Sequence, residues 1–180
     1  PHRVRDYLAE TLHRPADSIR VVAPDVGGSF GMKDCIYSED VLVPYLSLML
    51  KRPVKWVESR QENMLAYHGR GQTLDMEMAF KKNGTILGMR VRVVCDTGAY
   101  FLLTTPSAPF NTVRRISGPY KIPAVSVELL AAITNKTPTG AYRGTGGPES
   151  AFCLERTLDL AARDLGLDPA EIRRKNFIPA

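Results

Sequence analysis

The stretch QTLDMEMAFKKNGTILGMRVRVVC at positions 72–95 decides the fold, because polarity alternates on both sides of a turn signal. Segments 72–81 and 86–95 each repeat with a period of two residues, which is typical of a strand with one buried face. Asn83-Gly84 lies between them and favours a tight hairpin turn. The sequence therefore predicts an antiparallel hairpin, with Leu87, Met89, Val91 and Val93 on one face of the second strand and Ile86 on the other.

Helical and extended patterns surround this hairpin on both sides. Apolar residues recur at helical spacing in 2–13 and 149–165, which predicts two helices. A mostly apolar run with Ser38 as N-cap predicts a helix over 38–51, and Asp168-Pro169 predicts the start of a last helix over 168–175. Runs between turn signals predict strands at 19–23, 53–57 and 124–134, with Trp56 in the core. Segment 98–123 has few periodic signals and is predicted to be a long functional loop. The mixture indicates the α+β class, a mixed or antiparallel sheet with packed helices.

Composition excludes several classes of protein. The 180 residues are 44% hydrophobic and 24% charged, which is typical of a globular chain and not of a disordered one. The net charge of +5 is spread along the sequence, so no nucleic-acid partner is predicted. No apolar stretch is long enough to span a membrane. The three cysteines are far apart, which predicts reduced thiols in a cytoplasmic protein and neither a disulfide framework nor a zinc site.

Two glycine-rich loops, at 24–31 and 141–150, carry the functional signal. Each is predicted to follow a strand and to precede a helix, where main-chain N–H groups are unpaired and the helix dipole is positive. Arg143, in the second loop, adds a fork of donors suited to phosphate or an oxo group. Neither loop has the spacing of a common nucleotide motif. These features indicate a large anionic cofactor, while the alternative is that the glycines only form tight turns.

Weaker candidates are interpreted structurally. His68 stands alone beside Gly69-Arg70 and is interpreted as a structural histidine with its hydrogen bonds satisfied. The Arg114-Arg115 pair is interpreted as solvated surface. Asp34 follows the first loop and is either a charge at a helix start or a substrate contact. No metal-ligand cluster and no nucleophile–base arrangement is recognisable in the sequence.

Three segments together resemble one family. VGGSFGMK at 26–33, TNKTPTGAYRGTGGPE at 134–149 and EIRRKNF at 171–177 are similar to the molybdopterin-binding large subunit of the xanthine dehydrogenase, aldehyde oxidase and carbon monoxide dehydrogenase family. The resemblance implies a molybdenum–molybdopterin cofactor in its cytosine dinucleotide form, and partner subunits or domains that carry iron–sulfur clusters and FAD. It also implies a dimer of heterotrimers in the cytoplasm and oxidative hydroxylation of a small molecule.

The resemblance also implies that residues 1–180 form the first half of a molybdopterin-binding domain. The small domain that precedes this region in the family, and the half that follows it, are absent from the sequence. The glutamate that acts as general base is expected in the following half, so no catalytic residue is assigned here and the isolated chain is expected to be inactive. The alternative is a non-catalytic anion-binding or assembly module.

Matched residue by residue, the family motifs assign two sets of residues. Cofactor contacts are implied for Gly27, Gly28, Ser29, Phe30, Gly31, Arg143 and Gly144. Substrate contacts are implied for Asp34, Asn111 and Thr145.

Three departures from the family motifs narrow the range of substrates that the resemblance implies. Gly144 replaces the copper-binding cysteine of carbon monoxide dehydrogenases. Thr145 and Asn111 replace the phenylalanine and the arginine that hold the purine in xanthine enzymes. An aldehyde or another N-heterocycle is therefore predicted as the substrate.

Overall fold

The computed structural model describes residues 1–179, which form six helices and a three-stranded sheet. The helices are α1 (His2–Thr11), α2 (Ser38–Leu50), α3 (Arg60–Ala66), α4 (Ser107–Arg114), α5 (Gly147–Leu165) and α6 (Pro169–Asn176). The strands are β1 (Gln72–Phe80), β2 (Ile86–Gly98) and β3 (Val125–Ile133). None of the helices in these residues combines the length and the apolar character that a bilayer crossing requires.

The sheet has the order β1-β2-β3 and is mixed, as predicted. β1 pairs with β2 in antiparallel fashion through the predicted hairpin, and β2 pairs with β3 in parallel. One detail of the prediction is wrong. Phe80 pairs with Ile86 and Ala79 with Gly88, so Leu87 is an extra residue and forms a β-bulge. The bulge turns Ile86 to the face of Met89, where it is buried, and leaves Leu87 exposed.

The core lies between the sheet and α5. It contains Ile86, Met89, Val91, Val93 and Cys95 of β2, Ile116 and Tyr120 of the segment before β3, and Leu154 and Leu158 of α5. Buried residues alternate along most of β2 and recur at helical spacing along α5. Both elements could therefore be predicted from the sequence. Burial raises the pKa of the Cys95 thiol to about 11, with the Glu149 carboxylate as a smaller cause, so this thiol stays protonated.

α6 is fastened to the hairpin turn by one buried side chain. The Asn176 amide donates to the Gly84 carbonyl at 2.8 Å and to the Ile172 carbonyl at 2.7 Å, and its oxygen accepts from the Ile86 N–H at 2.9 Å. Asn176 therefore satisfies main-chain groups of the turn that strand pairing leaves free. It belongs to the 171–177 motif, so part of that motif is structural.

Two predicted strands and the predicted long loop are corrected by the structure. Segments 19–23 and 53–57 are not β-strands, and residues 20–23 and 53–57 form no main-chain hydrogen bond with any of residues 1–179. Trp56, predicted in the core, is 49% exposed. Both segments have a strand-like sequence but no neighbouring strand among the described residues. Within 98–123, α4 replaces part of the predicted loop, because Ala108, Pro109 and Thr112 are buried on one side of a short helix.

Candidate functional site

The two glycine-rich loops are in direct contact, although they are distant in the sequence. The Arg143 N–H donates to the Phe30 carbonyl at 2.9 Å. The Arg143 guanidinium lies 5.9 Å from the centroid of the Phe30 ring. Gly31 has a φ of +104°, and a Cβ added there would collide with the Ala141 carbonyl. Only glycine permits both this conformation and this approach, so the first loop is fitted closely to the second.

Both loops were predicted to lead into a helix, but only the second leads directly into an α-helix. Gly146, with a φ of +81°, precedes α5. The first loop leads into a single 3-10 turn, Met32–Asp34, and α2 begins only at Ser38. The first loop also follows the unpaired segment 19–23 and not a strand. Any ligand of the first loop therefore meets its main-chain amides without the dipole of a long helix.

A buried layer supports the second loop from below. The Tyr67 hydroxyl donates to the Ala141 carbonyl at 2.7 Å, and the Ala141 N–H donates to the Thr104 hydroxyl at 3.1 Å. The Cys35 sulfur lies 2.9 Å from the same hydroxyl oxygen. Burial, with smaller contributions from Cys35 and Asp34, raises the pKa of Tyr67 to about 12. Tyr67 therefore remains a neutral donor at every pH at which the chain would function.

Two arginines bind successive carbonyls of the second loop. Arg70 donates to the Arg143 carbonyl at 2.8 Å, and Arg115 donates to the Gly144 carbonyl at 3.2 Å. Arg114 and Arg115 are exposed, as predicted, but nothing in the sequence indicated that Arg115 also binds the second loop. Arg70 and Tyr67 were missed in the sequence, where only the neighbouring His68 was considered. A signal existed, since an arginine between Gly69 and Gly71 is an unusual arrangement in a segment just before a strand.

Backbone strain is concentrated around these loops. Phe30, Arg70 and Thr145 have φ values of +53°, +64° and +34°, which is the left-handed region that favours glycine. Each such residue costs on the order of 1–3 kcal/mol, and strain of this kind clusters at functional sites. Three of the five non-glycine residues with positive φ among residues 1–179 lie here. The strain marks the contact between the loops as a site candidate.

The loops carry hydrogen-bond donors without a partner in the part of the chain that the structure describes. The main-chain N–H groups of Gly27–Gly31 and of Gly144 have no acceptor within residues 1–179. The Arg143 side chain has no ion pair or hydrogen bond in the same part of the chain. A cleft of about 580 Å³ opens beside the first loop, and Lys33 and Arg60 both line it. Unused N–H groups and free cations suit a ligand rich in anionic oxygen.

The predicted substrate residues belong to three different segments of the fold. Asp34 is exposed and forms an ion pair with Arg3 of α1 at 3.2 Å. Asn111 lies in α4, half-buried, and Thr145 lies in the second loop. Their chain neighbours Thr112 and Gly146 are in contact, with the Thr112 hydroxyl 3.3 Å from the Gly146 carbonyl. The fold thus brings Asn111 and Thr145 to the same region.

The chemistry of the site fits an organic anion better than a protein-bound metal ion. Among residues 1–179, no group of three or more His, Cys, Asp and Glu side chains is placed to hold a metal. The donors around both loops are instead main-chain amides and cations. A metal carried by an organic ligand fits this donor set, because the chain then needs to bind only the ligand.

Comparison with known proteins agrees with this chemistry. Residues 1–177 match the family described as the molybdopterin cofactor-binding domain. The chain is 38% identical over 99% of its length to the gamma subunit of the 6-hydroxypseudooxynicotine dehydrogenase complex of Paenarthrobacter nicotinovorans. It is 41% identical, again over 99%, to the carbon monoxide dehydrogenase large chain of Hydrogenophaga pseudoflava. It covers 23% of each of these two relatives.

A solved structure gives the same result at the level of the fold. Quinoline 2-oxidoreductase from Pseudomonas putida 86 superposes with a TM-score of 0.97 and 43% identity, covering 99% of this chain and 23% of that one. The family resemblance and the α+β class predicted from the sequence are confirmed. The matched relatives are oxidoreductases, and several are subunits of larger complexes. The chain belongs to the molybdopterin cofactor-binding domain family, in the group of molybdenum enzymes that includes the xanthine dehydrogenases and carbon monoxide dehydrogenases.

Proposed function

We propose that residues 1–180 form one wall of the molybdopterin site in a molybdenum hydroxylase that oxidises an N-heterocycle or an aldehyde. The observation that carries the proposal is the interlock of the two loops, which exposes the unused amides of Gly27–Gly31 beside the free guanidinium of Arg143. Such donors complement an oxygen-rich cofactor, whose polar atoms need partners on every side.

The first loop and Arg143 would hold the cofactor by hydrogen bonds. Gly27, Gly28, Ser29, Phe30 and Gly31 offer main-chain N–H groups, and Gly144 offers another from the second loop. The cofactor supplies the redox chemistry, which is the acceptance of two electrons during hydroxylation of an electron-poor carbon. The chain contributes position and positive charge: Arg143 stabilises negative charge, and the buried Tyr67 and Thr104 keep its loop in place.

The proposed substrate class follows from three positions. Gly144 has no thiolate for a soft copper(I) ion, which argues against carbon monoxide oxidation. Thr145 has no aromatic face and Asn111 has no charged fork, which argues against a purine. The similarity to quinoline 2-oxidoreductase, at 43% identity, supports an N-heterocycle. Asp34, Asn111 and Thr145 are the proposed substrate contacts.

The working enzyme is proposed to contain more polypeptide than these 180 residues. The matched relatives are about four times as long, since the chain covers 23% of them. The unpaired extended segments and the exposed Trp56 support the same proposal, because additional strands would bury them. We propose that the general base lies in this additional polypeptide. The proposal also includes partners that carry iron–sulfur clusters and FAD, and the cytosine dinucleotide form of the cofactor. It further includes a dimer of heterotrimers and a cytoplasmic location.

Cofactor analysis and a substrate panel on the full-length protein test this function. The protein is expected to hold about one molybdenum atom and one pterin per chain. It should oxidise simple N-heterocycles or aromatic aldehydes faster than xanthine, and should not oxidise carbon monoxide after copper treatment. Protein purified without molybdenum or pterin would support the alternative of a non-catalytic anion-binding module. Xanthine as the best substrate would contradict the roles given to Asn111 and Thr145.

A further inference from the structure

We propose that Arg70 is a positioning residue that aims the main-chain N–H of Gly144 at the cofactor. The inference rests on the proposed function for the identity of the ligand, while its geometry stands on the contacts of Arg70. No sequence motif identified above includes Arg70, and its place beside the second loop follows only from the fold.

Arg70 holds the second loop at three points. Its guanidinium donates to the Arg143 carbonyl at 2.8 Å and lies 4.8 Å from the centroid of the Tyr142 ring. It also lies 3.5 Å from the Glu149 carboxylate at the start of α5. The Glu149 side chain is only 10% exposed, and its Oε2 has no hydrogen-bond partner within residues 1–179. Arg70 therefore ties both ends of segment 142–149 to the residues that precede β1.

Peptide geometry converts the carbonyl contact into an orientation of the next amide. The bond between Arg143 and Gly144 is trans, as are all the peptide bonds among residues 1–179. In a planar trans peptide, the carbonyl and the following N–H point in opposite directions. By binding the Arg143 carbonyl on one side, Arg70 directs the Gly144 N–H to the other. That N–H has no acceptor in residues 1–179, so it is available to a ligand.

The charge of Arg70 also strengthens the amide that it orients. A cation that binds a carbonyl polarises the whole peptide group, which makes the N–H of the same peptide a better donor. The Arg70 side chain is one-third exposed, and its guanidinium contacts the Tyr142 ring as well as Glu149, so its position does not depend on the ion pair alone. A neutral side chain at position 70 would remove the polarisation even if it kept a hydrogen bond.

Arg115 has a different role, although it binds the next carbonyl. By the same geometry, its contact with the Gly144 carbonyl directs the Thr145 N–H, and that N–H donates to the Tyr142 carbonyl at 2.8 Å. Arg115 thus supports a turn inside the loop. Of the two arginines, only Arg70 orients an amide that has no acceptor among residues 1–179.

Hydrogen exchange of the full-length protein tests the proposal with a readout independent of turnover. In Arg70→Gln, we expect amides in segment 141–147 to exchange roughly tenfold faster, because their opening is local. Segment 86–95 should be unchanged and reports that the fold is intact. Glu149→Gln is the matched control, since it removes the ion pair and leaves the carbonyl contact of Arg70 in place. It should have a much smaller effect on 141–147.

The molybdenum-loaded protein provides the second readout. Arg70→Gln should release molybdenum and pterin faster than wild type, and Arg70→Lys, which keeps a cationic donor, should recover part of the retention. Unchanged exchange at 141–147 in Arg70→Gln would overturn the proposal, as would an equal effect of Glu149→Gln. Wild-type protein without molybdenum would contradict the proposed function, but the exchange comparison would still decide whether Arg70 holds the loop.

Discussion

The Phe30 carbonyl accepts a 2.9 Å hydrogen bond from the Arg143 N–H, which joins the main chains of the two glycine-rich loops. The same pair is in contact through its side chains, with the guanidinium 5.9 Å from the ring centroid. Because a carbonyl and the following N–H are antiparallel, this bond also orients the Gly31 N–H away from the second loop. The cofactor-facing surface thus depends on both loops together.

Replacement of Arg143 should reduce cofactor retention and turnover of the full-length enzyme. Loss of one donor to a charged oxygen in a water-excluded site costs about 2–4 kcal/mol, or roughly 30- to 1000-fold in rate. Arg143→Ala should therefore lower both the molybdenum content and kcat. Arg90→Ala is the control, because that side chain is 75% exposed and forms an ion pair with Glu77 on the sheet surface, away from both loops. Equal effects of the two substitutions would remove Arg143 from the site.

Substitution of Gly31 tests how closely the two loops fit together, through a measurement of stability that does not depend on the cofactor. Gly31→Ala places a methyl group against the Ala141 carbonyl at a φ of +104°, and strain plus overpacking should lower stability by about 2–4 kcal/mol. Gly27→Ala is the control for stability, since its added Cβ meets nothing within 4 Å. Urea unfolding of both variants measures the difference. A Gly31→Ala protein as stable as Gly27→Ala would show that the loops are not closely fitted.

The candidate site combines residues that the sequence indicates with residues that only the fold brings to it. The glycines of both loops and Arg143 could be proposed as cofactor contacts because they cluster in the sequence. Arg70 and Tyr67 could not, because they come from a segment between α3 and β1 that only the fold brings beneath the second loop. Arg115 was correctly predicted at the surface, but its contact with the Gly144 carbonyl was not predictable, since a main-chain acceptor is not visible in a sequence.

The fold was predictable where one element buries one face. β1, β2 and α5 alternate or repeat in the sequence as they are buried in the structure. The bulge at Leu87 was not predictable, because alternation continues through it in the sequence. Segments 19–23 and 53–57 have the composition of strands, but a strand also needs a neighbour, and none of the described residues provides one.

Loss of the Asn176 side chain should destabilise the protein without touching the loops. Asn176→Ala leaves the buried Ile86 N–H and the Gly84 carbonyl without this partner, at a cost of about 2–4 kcal/mol. The exposed neighbour Arg174 offers the control, and Arg174→Ala should stay within about 0.5 kcal/mol of wild type. Thermal unfolding distinguishes them. Similar melting temperatures for the two variants would show that α6 is held by other contacts.

Acid should weaken the fold through Asp96. Hydrogen bonds from Lys136, Thr134 and the Gly98 N–H lower the pKa of this carboxyl to about 2. Its pKa in the unfolded chain is about 3.9, so its contribution to stability is present above pH 4 and lost as the pH falls toward 2. The stability advantage of wild type over Asp96→Asn should therefore shrink across this window. A constant difference from pH 5 to pH 2 would contradict the lowered pKa.

The position of the cofactor in a crystal structure of the molybdenum-loaded protein tests the central claim most directly. The claim is that the interlocked loops form one wall of the molybdopterin site. It predicts at least two main-chain nitrogens of Gly27–Gly31 or Gly144 at hydrogen-bond distance, about 2.7–3.2 Å, from polar cofactor atoms. A cofactor with no atom within hydrogen-bond distance of either loop would contradict it.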